Sequence, residues 1–89
     1  MNEPFVEDGF RREYTGRVTV RFLDRKLGEE AVRAFAEAHG LGEATRKEAG
    51  NWTFPVSPDR DYATVGRELA ADPLTEHAWP EMRSEYRRG

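Results

Sequence analysis

The side chains able to do chemistry in this chain are few and scattered. There are two histidines, His39 and His77, far apart in sequence and with no cluster of carboxylates between them, so a metal site is not expected. Ser57 and Ser84 have no neighbouring base, and no Ser-His-Asp arrangement can be assembled from the order of residues. Cysteine is absent, which excludes thiolate catalysis, paired-thiol metal transfer and disulfide stapling. An anion loop of the acylphosphatase kind needs glycines after the first strand, and Phe22-Leu23-Asp24-Arg25-Lys26 has none. The mixed-sign runs at 24–26, 46–48 and 59–61 read as solvated loops. The expectation is therefore no enzyme and no cofactor. What remains is recognition by surfaces; the chain ends in a proline-stopped strand and a polar run, Trp79-Pro80-Glu81 followed by Met82-Arg83-Ser84-Glu85-Tyr86-Arg87-Arg88-Gly89.

Bulk properties narrow the partners. The chain has 89 residues, 14 basic against 17 acidic, for a net charge of −3, which argues against a nucleic-acid binder. The strand aromatics Phe22, Trp52 and Phe54 fall on the apolar, core-facing set, not on an exposed sheet face where bases would stack. No apolar run approaches the roughly 18 residues of a membrane span. The acidic N-terminus lacks the apolar stretch of a signal peptide, so the chain as read predicts a cytoplasmic protein, or a piece of a longer secreted one. Ten aromatics and 37% hydrophobic residues suffice for one small core.

The elements that must position the segment follow from periodicity. Residues 1–15 read as an arm, with a short strand near Arg11 to Tyr14. Val18, Val20 and Phe22 alternate with Arg17, Thr19 and Arg21, the period-two signature of a half-buried strand. Leu27, Ala31, Ala34, Phe35 and Ala38 recur at helical spacing, and His39-Gly40-Leu41 is a helix stop. A weak polar strand in Glu43 to Glu48 is expected to form a hairpin with Trp52, Phe54 and Val56. Ser57-Pro58-Asp59 predicts the start of a second helix with Ser57 as cap, striped by Tyr62, Val65 and Leu69. That helix must end before Pro73. Leu74 to Trp79 predicts a last strand, stopped by Pro80.

The order strand, helix, strand, strand, helix, strand predicts an α+β, ferredoxin-like βαββαβ fold, with an antiparallel sheet and two helices on one face. The open face would carry Arg17, Thr19, Arg21, Thr53 and Pro55. Trp79 fits either the core set of the last strand or a partner anchor on the open face. The division expected is an arm over 1–15, a domain over 16–81 and a tail over 82–89.

Three segments resemble the propeptides of subtilisin-like serine proteases, of the bacterial fervidolysin-like kind. They are Thr15 to Phe22 with the helix closing on His39-Gly40-Leu41, then Gly50 to Val56, then Leu69 to Pro73 with Thr75 to Glu81. The resemblance implies that the open sheet face packs on two helices of the protease. It also implies that the trailing segment lies in the substrate cleft, and that the domain inhibits or helps fold its protease. The implied contact residues are Trp79, Glu81, Met82, Arg83, Ser84, Glu85, Tyr86 and Arg87. In that register Ser84 would approach the S4 pocket and Arg87 the S1 pocket, with Tyr86 as the alternative at S1. The chain departs from the family in having Trp79 at one usually acidic position and His77 at a usually aromatic one. The competing expectations are a non-inhibitory protein-interaction or small-ligand module on the same scaffold, or the first domain of a larger protease.

Overall fold

Val18, Val20 and Phe22 lie at the centre of the molecule, each at most 1% exposed, so the alternating strand is the middle of the sheet. The structure, a computed structural model, describes residues 2–7, 9–48 and 50–86, with side chains through Arg83. Its elements are β1 (Phe5–Glu7), β2 (Phe10–Phe22), α1 (Glu29–Ala38), β3 (Thr45–Arg46), β4 (Asn51–Pro55), α2 (Tyr62–Ala70) and β5 (Thr75–Tyr86). β4 and β5 flank β2, and β3 pairs with β4, all antiparallel. The spatial order β5, β2, β4, β3 is the ferredoxin-like one. β1 adds to the N-terminal part of β2, on the side that β4 occupies further along.

Both helices cover the same face. From α1, Phe35 sets its ring edge-on to Phe22 at 4.9 Å and tilted to Phe54 at 5.7 Å. From α2, Tyr62, Val65 and Leu69 close the core with Trp52, Phe54 and Val56. On the strands and α2 the expected core set is the observed one. On α1 the buried face is Val32, Phe35 and Ala36, whereas Ala34 and Ala38 of the expected stripe are exposed. The helix is turned so that the larger Val32 packs inward in place of alanines. The end of α1 follows its sequence signal: Gly40 takes φ +66°, the Leu41 N–H donates to the Ala36 carbonyl at 2.8 Å, and the Gly40 N–H to the Glu37 carbonyl at 3.2 Å. Arg60 donates to the His39 carbonyl at 2.9 Å, satisfying another end carbonyl. The run 59–61 is thus structural as well as solvated.

The start of α2 and the end of the last strand differ from expectation. The cap of α2 is Asp61, whose carboxylate accepts from the Thr64 N–H at 3.1 Å. Ser57 and Asp59 bond each other one turn earlier, and the Arg60 N–H returns to the Ser57 carbonyl. Ser57-Pro58-Asp59 therefore makes a turn, and the side chain placed at N3-facing distance is Asp61. The second difference is the last strand, which does not stop at Pro80 but continues to Tyr86. Among the described residues β5 pairs with β2 alone and its other edge is uncovered, and an edge strand tolerates a residue that cannot donate.

Pro80 also explains the glycine inside α2. A Cβ built on Gly66 would lie 3.1 Å from Pro80 Cδ, so a larger residue there would have to push the proline ring aside by a few tenths of an ångström. Gly66→Val is expected to destabilise the fold by about 1–3 kcal/mol through overpacking. Urea titration of the variant measures it, and an unchanged midpoint would refute the close-approach account.

Between α1 and β5, the His39 Nε2–H donates to Asp72 Oδ2 at 2.8 Å, and Asp72 Oδ1 accepts the Leu74 N–H at 2.9 Å. Partial burial works to raise the Asp72 pKa, but the hydrogen bonds from Leu74 and His39 outweigh it and the carboxyl sits below its ordinary 3.8. A depressed carboxylate contributes stability that is full above its unfolded value and is lost as pH falls through the folded one. Asp72→Asn should therefore lower stability at pH 7 by about 1 kcal/mol. It should also flatten the stability loss below pH 3.8, as read from urea midpoints across pH.

Candidate functional site

The face of the sheet away from the helices is uncovered, and register places its residues in rows. Thr45, Thr53, Thr19 and Trp79 face one another in turn across β3, β4, β2 and β5. Asn51, Arg21 and His77 form the next row, and Pro55 pairs with Arg17 beyond. Thr19 and Thr53 are buried although they point away from the core, because the neighbouring strands close over short side chains in mid-sheet. Trp79 is 41% exposed, which excludes the core reading and puts an indole on the open face. The core-facing positions of β5 are instead Ala78, packed on the core, and Pro80, against Gly66.

The charges on this face are tied near its edge. Glu76 Oε2 lies 3.2 Å from Arg21 Nε and 3.4 Å from Arg25 Nη2, one carboxylate held by two guanidinium groups. Glu81 shares the Trp79 face by alternation along β5, and its Oε1 accepts from the Thr15 hydroxyl at 3.0 Å. The carboxylate at the root of the C-terminal segment is thereby fixed to β2.

Beyond Glu81 the chain is not a loose tail. Met82 to Tyr86 pair with Tyr14 back to Phe10, so segments expected as arm and tail form a ribbon with β1 on its far side. The short strand expected near Arg11 to Tyr14 is the N-terminal part of β2. On the helix side of the ribbon Tyr14 packs edge-on to Tyr62 at 5.6 Å and lies 6.3 Å from Phe5. Met82, opposite Tyr14, stays 41% exposed. On the other side Arg83 donates to Glu13 Oε2 at 2.7 Å, and Arg11 pairs with Glu13 Oε1 at 2.7 Å. The hydrogen bond from Arg83, then the charge of Arg11, hold the Glu13 carboxyl below its usual range. Asn2 fastens the arm, accepting the Tyr62 N–H at 2.9 Å and donating to the Arg60 carbonyl.

Of the sequence-predicted contact residues, Trp79, Glu81, Met82 and Arg83 thus lie along one strand. Ser84, Glu85 and Tyr86 continue it in backbone register against Arg12, Arg11 and Phe10. Arg87 lies outside the described residues. What sequence reasoning missed is β2's share of the site: Glu13 and Thr15 hold the tail, and their signal was an alternation of charge and aromatic groups, Arg11-Arg12-Glu13-Tyr14, too short to extend the strand on its own.

A groove of about 450 Å³ lies between α1 and the β3 edge, rimmed by Glu29, Arg33, Glu37 and Glu43. The Arg46 guanidinium stands 5.8 Å from the centre of the Trp52 ring at this groove, a cation–π contact that covers its aromatic floor. Among the described residues no group of three His, Asp or Glu side chains could hold a metal, and no helix is long and apolar enough to cross a membrane.

No family model matches the chain, and no curated protein matches it. A solved structure does. A chain in the crystal structure of the complex between Aeromonas sobria serine protease (ASP) and the chaperone (ORF2) superposes with a TM-score of 0.67 at 16% sequence identity. The match covers 92% of this chain and 75% of that one. At that identity the likeness is one of fold.

Proposed function

We propose that this chain is a propeptide-like inhibitor and folding chaperone of a subtilisin-like serine protease. It would bind by its open sheet face and place its C-terminal segment in the substrate cleft. The observation that carries the proposal is the exposed indole of Trp79 on an open sheet face, at the base of an extended C-terminal strand. The fold likeness to a chain from a protease–chaperone complex supports it, since the coverages make that chain only modestly longer than this one.

Each part has a physical role. Trp79 offers the large, rigid apolar area typical of an interface anchor. Glu81, and Glu76 at the edge, place carboxylates where the N-termini of partner helices would be favoured neighbours. Residues 82–86 are already extended, the conformation a cleft requires for strand addition, so little backbone order remains to be imposed. Arg87 or Tyr86 would occupy the primary specificity pocket. The alternative, a module binding a small ligand in the groove beside α1, is less well supported because Arg46 already covers Trp52 there.

The test is inhibition of a panel of subtilisin-like proteases, followed with a chromogenic peptide, together with the yield of active enzyme on refolding in the presence of the chain. Inhibition at nanomolar to micromolar concentration is expected for at least one enzyme. Neither inhibition nor improved refolding from a folded chain would sink the proposal. Within that assay Trp79→Ala should weaken inhibition by at least ~10-fold, as loss of an interface anchor does. An unchanged inhibition constant would remove the indole from the interface.

A further inference from the structure

The ladder between β2 and β5 consists of two blocks that differ in what holds them. The inner block runs from Val18 opposite Pro80 to Phe22 opposite Thr75, and Val18, Val20 and Phe22 belong to the core. The outer block runs from Phe10 opposite Tyr86 to Tyr14 opposite Met82, and none of residues 10–14 is buried. Between them the register shifts, with Thr15, Gly16 and Arg17 on β2 standing against Glu81 alone on β5. Gly16 has φ +90°, a backbone that suits glycine, and its carbonyl accepts the Val56 N–H at 2.9 Å. The bulge is thus tied to the body of the domain, not to the outer block.

The outer block has its own fastening. Glu13 bridges Arg83 and Arg11, and Thr15 holds Glu81 at the boundary. β1 pairs with Phe10 to Arg12 on the opposite edge, so β2 would keep a partner there if residues 82–86 departed. A cleft shaped for one extended peptide has no room for two further strands beside it at about 4.8 Å spacing. The outer block and the cleft therefore compete for the same backbone.

We propose that residues 82–86 form a latched strand, paired with β2 in the free protein and released from it, as far as the bulge, when the segment enters the protease. The proposal rests on the function proposed above and adds its regulation. The apparent affinity is the intrinsic one reduced by the fraction of molecules with the strand released, so the latch sets both affinity and association rate.

The chain has no cysteine, so Arg12→Cys with Ser84→Cys, facing positions in the ladder, gives one defined bridge. Inhibition of the most tightly bound panel protease by the oxidised form should be at least ~100-fold weaker than by the same variant reduced, because oxidation removes the open form and reduction returns it. Glu13→Ala, which loses both ion pairs, should speed association by about 2–5-fold, the modest effect of exposed pairs. Hydrogen exchange of the free chain gives a readout that needs no protease: amides of 82–86 should exchange at least ~10-fold faster than those of Val18 to Val20. Equal inhibition by oxidised and reduced forms overturns the latch while leaving the inhibitor reading intact. Exchange of 82–86 together with Val18 to Val20 also overturns it. A parent chain that inhibits no protease in the panel brings down both, a result distinct from the other two.

Discussion

Deletion of Met82 to Gly89 is expected to abolish inhibition of the target protease, a loss of at least ~100-fold, while the domain stays folded, because a few central contacts carry most binding energy. The reason it stays folded lies in where the core is. Among the residues whose side chains are described, every buried apolar one falls between Val18 and Leu69, and the inner block of β5, from Thr75 to Pro80, is retained. The truncation costs an exposed ladder, including the pairing of Met82 with Tyr14, and the Arg83–Glu13 ion pair, whose worth at an exposed site is small. Circular dichroism and a urea titration establish the fold, and the inhibition constant then reads the tail alone. If the truncated domain inhibits as well as the parent, the open face suffices and the cleft model fails.

Phe54→Ala is expected to cost about 3–5 kcal/mol, the range for emptying a buried phenylalanine site. Phe54 is fully buried in the central strand β4, with Val18 opposite and the Phe35 ring 5.7 Å away. Phe35 in turn meets Phe22 at 4.9 Å and His39 at 4.6 Å, so the cavity would open at the junction of α1 with the sheet. Three rings in edge and tilted contact cannot collapse into the space without leaving their rotamers. Domains hold roughly 0.05–0.15 kcal/mol of stability per residue, so the loss is a large share of what so small a chain has. A urea midpoint within error of the parent would show that the core does not depend on this ring. Inhibition by the variant should fall in proportion to its unfolded fraction, not through any lost contact.

The core and the order of elements were legible because their signals are local. Alternation at Val18, Val20 and Phe22 and at Trp52, Phe54 and Val56 specified two strands and the side each buries. Helical spacing, with Gly40 as a stop, specified α1 but not its buried face, where Val32 and Ala36 join Phe35 in place of Ala34 and Ala38. The weak strand at 45–46 was found only because a strong one followed it across a turn. Where two local signals competed, sequence reading chose wrongly: Ser57 and Asp61 are both good caps, and the turn between Ser57 and Arg60 decided in favour of Asp61. A glycine inside a helix costs stability, and the reason for Gly66, Pro80, is fourteen residues away on another element.

By itself, then, the sequence determined the ferredoxin-like order, the core residues of the strands and of α2, and the absence of cysteine chemistry, since composition and period are properties of the chain alone. Only the tertiary structure decided that Trp79 faces outward, that Pro80 is passed and not a stop, and that the C-terminal segment lies on β2. Each depends on which edge of a strand is left free and on a bulge that shifts register. Those are relations between distant segments, and no local pattern encodes them.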